Sequence, residues 1–163
     1  MSARYTTLFF LVSLMPLFSF AKTTTPVGCV GKNNISPDAH AAWILPAKNI
    51  VASEKAEGSP NLEIGQRTAV MLKNNGKTSS GFVGFKTKDA GDYFLSSDFY
   101  PRMNVTDLES KKEMQVETYG PVRECDTIRK SLRFKFKGNH KYSLELISKD
   151  SKEINVLVIK ANN

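Results

Sequence analysis

Three successive runs near the C-terminal end carry an apolar side chain at every second position, and nothing else in the chain restricts its fold as much. The runs are Leu132, Phe134 and Phe136, then Tyr142, Leu144 and Leu146, then Ile154, Val156 and Val158. Successive side chains of a strand point to opposite faces, so each run is a strand with one apolar face; a helix would repeat its apolar positions every three or four residues. Ile128 extends the apolar face of the first run, while Arg129, Ser131, Arg133 and Lys135 take the opposite face. Gly138-Asn139-His140 separates the first two runs and predicts a hairpin in which Phe136 faces Tyr142, Phe134 faces Leu144 and Arg133 faces Glu145. The unbroken Val156-Leu157-Val158-Ile159 predicts a central strand buried on both faces.

Shorter alternations precede these. Val70 and Leu72 end one strand before the turn Lys73-Asn74-Asn75-Gly76-Lys77, and Gly81 to Thr87 form a second with Val83 and Phe85 on one face. Lys88-Asp89-Ala90-Gly91 turns the chain into Tyr93-Phe94-Leu95, and Met103-Asn104-Val105 and Met114-Gln115-Val116 form an expected pair around Glu109-Ser110-Lys111-Lys112. About eight short strands, regular turn signals and no convincing amphipathic helix predict an all-β, antiparallel β-sandwich, jelly-roll or Greek-key-like, over residues 62–163. Residues 22–61 carry Pro26, Gly28, Gly31, Pro37, Pro46, Gly58 and Pro60 and are expected to be irregular, apart from a helical turn near Pro37–Trp43 and a short strand beyond it.

The N-terminus adds a compartment. Arg4, an apolar run from Leu8 to Phe20 and the small residues Ser19 and Ala21 are the parts a signal peptidase reads, so residues 1–21 are expected to be a signal peptide cut after Ala21. A membrane-spanning helix needs about 20 apolar residues, more than this run supplies, so no transmembrane segment is expected after cleavage. The expected location is periplasmic or secreted. Cys29 and Cys125 are the only cysteines, and an even count in an exported domain reads as a disulfide. Closing so long a loop stabilises a fold by about 4 to 5 kcal/mol on chain-entropy grounds.

Asp89-Ala90-Gly91-Asp92-Tyr93, Gly120-Pro121 followed by Cys125, and Ile128-Arg129-Lys130 leading into a strand, a Gly turn, Tyr142 and a final strand resemble a group of uncharacterised periplasmic β-sandwich proteins of Gram-negative bacteria. They are also loosely similar to the jelly-roll domains of secreted peptidases. The resemblance covers roughly residues 62 to 160 and implies the periplasm, a disulfide and no known chemistry. Where histidines precede Gly-Pro in that group, this chain reads Glu117-Thr118-Tyr119, so the metal that such histidines would suggest is not expected here.

The residues themselves offer little catalytic chemistry. No Gly-x-Ser-x-Gly elbow, His-Glu-x-x-His helix or Gly-rich phosphate loop is present. His40 and His140 read as exposed loop histidines, Glu113, Glu117, Glu124 and Asp126 as solvated charges, and neither metal nor cofactor is expected. A basic stripe stands out. Arg129, Arg133, Lys135 and Lys137 recur along one strand face with Lys141 across the turn, and together with the net charge of +7 they suggest an anionic ligand. An acidic glycan or a lipid head group fits, and nucleic acid is the least expected partner outside a cell. Phe99 and Tyr100 fall in a loop, where exposed aromatics anchor sugar-binding or protein-binding surfaces. The expected function is therefore a non-enzymatic exported protein that binds an anionic envelope component or another exported protein. An inhibitor or immunity protein of a hydrolase, and an enzyme with an unrecognised site, are the alternatives.

Overall fold

Val70, Leu95, Leu132 and Val156 enter the core from one sheet, and Val83, Val105, Leu144 and Leu146 meet them from another; all eight are essentially inaccessible to solvent. The computed structural model describes residues 37–122, 125 and 127–161. In chain order their elements are α1 (Pro37–Trp43), β1 (Lys48–Val51), β2 (Thr68–Met71), β3 (Lys73–Asn74), β4 (Ser79–Lys86), β5 (Gly91–Ser97), β6 (Arg102–Asp107), β7 (Lys112–Glu113), β8 (Thr118–Pro121), β9 (Lys130–Phe136), β10 (Lys141–Ser148) and β11 (Glu153–Lys160). One sheet has the order β1-β2-β11-β5-β9-β8 and the other β3-β4-β10-β6-β7. Every pairing is antiparallel except β1 with β2. This is an all-β sandwich. The expected signal peptide, Cys29 and the rest of residues 1–36 lie outside the described residues.

The expected hairpin of the first two apolar runs does not form, because β9 and β10 belong to different sheets. Phe134 pairs with Tyr93 of β5, whereas Leu144 pairs with Val83 of β4 and Val105 of β6. Glu145 accordingly accepts a hydrogen bond from Asn104 at 2.8 Å and does not meet Arg133. Alternation decides which face a side chain takes, and both arrangements satisfy it; the choice of neighbouring strand is made by long-range packing. Phe136 and Tyr142 still touch, with ring centroids 4.4 Å apart, but as residues of opposing sheets. Phe136 also packs on Phe85, Tyr93 and Phe134, so four rings surround it.

The expectation for the last run holds. β11 lies between β2 and β5, with Val156 and Val158 in the central core and Leu157 in a second cluster on the outer side of its sheet. That second cluster contains Ala39, Ala42 and Trp43, spaced along one face of α1, together with Val122, Cys125 and Ile128. Ile128 precedes β9 and packs on this outer side, so it does not share the face of Leu132. Met114-Gln115-Val116 is not a strand: β7 stops at Glu113, Met114 N–H donates to Val105, and the chain then departs.

Part of the stretch 22–61 joins the sandwich. β1 adds to β2, and the chain then crosses to β4, where Ser53 bridges Phe82 and Asn61 bridges Gly84. Gly81 makes this crossing possible, since a Cβ there would lie 2.5 Å from that of Ala52. An otherwise open edge of the five-stranded sheet is thereby closed.

Candidate functional site

Two charged residues share the core-facing phase of their strands and mark opposite ends of the sandwich. Asp107 follows Met103 and Val105 on β6, and Lys130 precedes Leu132, Phe134 and Phe136 on β9. Both are buried, Asp107 to 1% exposure and Lys130 to 8%. A buried charge is costly unless it is fully paired, so the partners of each decide what each does.

At the first end the turns around residues 88–91, 107–112 and 137–140 close over Asp107. Its carboxylate accepts the N–H of Glu109 at 2.9 Å and of Ser110 at 3.2 Å, lies 3.1 Å from His140 Nε2 and forms an ion pair with Lys137 Nζ at 3.4 Å. Burial by itself pushes the carboxyl upward. The Ser110 and Glu109 donors, aided by His140, overcome that and hold it at about 2. Thr87 Oγ1 donates to the Lys137 carbonyl at 2.6 Å, and Gly138 packs so closely on the backbone of Ala90 that a Cβ would lie 2.8 Å from its nitrogen. The Asp107 carboxylate is thus partnered on several sides, which is the description of a structural corner. His140 is part of that corner, not an exposed loop residue; His40 is likewise buried, on α1, with its Nε2 lacking a hydrogen-bond partner among the described residues.

The second end is built differently. Lys130 Nζ donates to the Pro101 carbonyl at 2.6 Å and sits 5.4 Å from the centroid of the Tyr119 ring. An ammonium has three donors, and a carbonyl and an aromatic face are its only contacts among the described residues. Burial lowers its pKa accordingly. Tyr119, on edge strand β8, is 62% exposed, and Tyr100 of the adjoining loop is 54% exposed beside Phe99. The loop is held from several sides. Asp98 accepts the N–H and Nδ2 of Asn155 at 2.9 and 2.8 Å, Ser97 Oγ donates to Phe99 at 2.9 Å, and Arg129 N–H donates to Ser97 at 2.8 Å. Burial raises the Asp98 carboxyl, and the two Asn155 bonds counter it. Exposed rings on a fixed loop lose little freedom when they bind.

The basic stripe is divided by the fold. Arg133 and Lys135 lie on the outer side of the six-stranded sheet and Arg129 just precedes β9, but Arg133 forms ion pairs with Asp92 and, at 3.7 Å, with Glu117. Lys135 stands opposite Asp92 in the ladder. Lys137 reaches Asp107 at the other end, and Lys141 belongs to the five-stranded sheet opposite Lys86. The five residues therefore do not share one surface. The loop aromatics Phe99 and Tyr100, by contrast, come to lie beside the start of β9, joined to it through Arg129 and Lys130. Sequence reasoning places Lys130 only near the basic stripe and does not single out Tyr119. The signal for Lys130 was its even-numbered phase with Leu132; for Tyr119, on a four-residue strand, there was none.

Cys125 is fully buried in the outer cluster, and its sulfur accepts the N–H of Ile128 at 3.2 Å. Among the described residues no group of three or more His, Cys, Asp or Glu is placed to hold a metal ion, and no helix is long and apolar enough to cross a membrane. No protein-family model matches the chain, and no curated protein does.

Proposed function

We propose that this is an exported, non-catalytic binding protein whose ligand is an anionic glycan of the envelope, held at the Tyr119, Phe99 and Tyr100 margin. The observation that supports it is the ammonium of Lys130, which has one carbonyl acceptor among the described residues and lies beneath the exposed Tyr119 ring. Sugar rings stack on aromatic faces, and a carboxylate or phosphate of the ligand supplies the acceptors that Lys130 lacks. Arg102, exposed at the start of β6, adds positive potential beside the loop. Export rests on the leader at residues 1–21, and the resemblance to periplasmic sandwich proteins points the same way. In this reading Cys29 and Cys125 are disulfide-linked and the mature chain starts at Lys22.

Calorimetric titration of the mature protein with a uronic-acid oligosaccharide and with its neutral reduced counterpart tests the ligand. The acidic sugar should bind at low salt, weaken as salt rises, and lose at least tenfold in affinity on Tyr119→Ala. No binding at millimolar acidic sugar, or equal binding of the neutral one, removes the proposal. Peptide mass mapping of protein from the cell envelope tests export, with an intact leader or two free thiols as the adverse results.

A further inference from the structure

We propose that the open edge of β1 takes up an extended segment of another polypeptide as an added strand, with an apolar side chain in the neighbouring groove and a basic one meeting Glu153. The site is on the opposite edge of the six-stranded sheet from the aromatic margin and does not depend on the glycan reading. In the parallel ladder Lys48 N–H donates to Arg67 at 3.0 Å and Ala52 N–H to Met71 at 2.9 Å. Hydrogen-bonding groups alternate along a strand, so Asn49 and Val51 turn theirs away from β2, where no described residue pairs with them.

The other edges are obstructed at least in part. Val122 N–H donates to Arg129, which turns Pro121 of β8 outward, and proline has no N–H to offer a new strand. The β4 edge is covered by Ser53 and Asn61, and β7 is only two residues long. β1 has none of these devices beyond its shortness and Lys48.

Side-chain chemistry selects the occupant. Val51 is 72% exposed and stands beside exposed Met71, and a shallow groove of about 450 Å³ runs over Asn49, Ile50, Val51, Ala69, Met71 and Glu153. The ladder places Val51, Met71 and Glu153 on one face, and the Glu153 carboxylate forms no ion pair among the described residues. A ligand strand with an apolar residue and a lysine or arginine on that face complements it. The groove is lined by six residues, far fewer than the roughly 20 a side of a stable protein interface. A single added segment fits that size; the broad face of a second copy does not.

The test is amide NMR of the full mature protein titrated with a synthetic peptide of alternating threonine and valine ending in lysine, and with the same peptide N-methylated on alternate amides. Asn49 and Val51 should shift and exchange more slowly with the first peptide and stay unchanged with the second. Val51→Pro removes an outward donor and no β1–β2 bond, so it should weaken binding at least tenfold with the melting temperature retained; Glu153→Gln should weaken it about threefold. Unmoved Asn49 and Val51 amides, equal binding of the N-methylated peptide, or self-association of the free protein through these amides would each overturn the proposal. Should Val51→Pro fail to fold, the N-methylated peptide decides alone.

Discussion

The two ends of this sandwich solve one physical problem in opposite ways. Each places a charged side chain at the mouth of the core, but Asp107 is surrounded by donors from two turns, His140 among them, whereas Lys130 has one carbonyl and one ring among the described residues. A fully partnered buried charge fixes a corner, and an under-partnered one retains affinity for a ligand of opposite sign. The pKa directions agree: Asp107 is stabilised in its charged form, and Lys130 is destabilised in its own. The contrast teaches that burial and charge alone do not identify a functional residue. Satisfaction of its hydrogen bonds does.

The contrast can be broken most sharply at Asp107. Replacing it by alanine strands the N–H groups of Glu109 and Ser110 and leaves His140 and Lys137 without their shared carboxylate, which should cost about 3 kcal/mol in urea unfolding. A loss under about 1 kcal/mol would mean the corner is not held by this charge. Acid should reveal the same interaction more gently. A carboxyl depressed to about 2 contributes all of its stability above the unfolded value near 4, and loses it as pH falls from there through about 2. The melting temperature should fall over that window, and less steeply in Asp107→Asn.

Lys130→Met should have the smallest effect on stability, within about 1 kcal/mol, because the lost Pro101 bond is offset by relief of a desolvated charge. Binding of the acidic oligosaccharide should nevertheless drop at least tenfold. A large stability loss with unchanged binding would reverse the roles assigned to the two ends.

Much of the fold was legible from alternation. The faces of Leu132, Phe134 and Phe136, the double burial of β11 and the short helix before β1 all follow from residue spacing along a few turns of chain. The binding margin was legible only in part. Phe99 and Tyr100 stand out as loop aromatics, but the placing of their loop beside Lys130 and its Tyr119 ring depends on Pro101 meeting the start of β9. The basic stripe shows the reverse error, since Lys141 was placed beside Lys137 by a hairpin that does not form.

The amino-acid order alone therefore determines which side of each strand is apolar, because backbone geometry alternates side chains whatever the neighbour. Which strands become neighbours, which charges gain partners and which edge stays open were decided by the tertiary structure. Those outcomes depend on contacts between residues distant in the chain, where many pairings satisfy the same local pattern and only the packing of the whole core separates them.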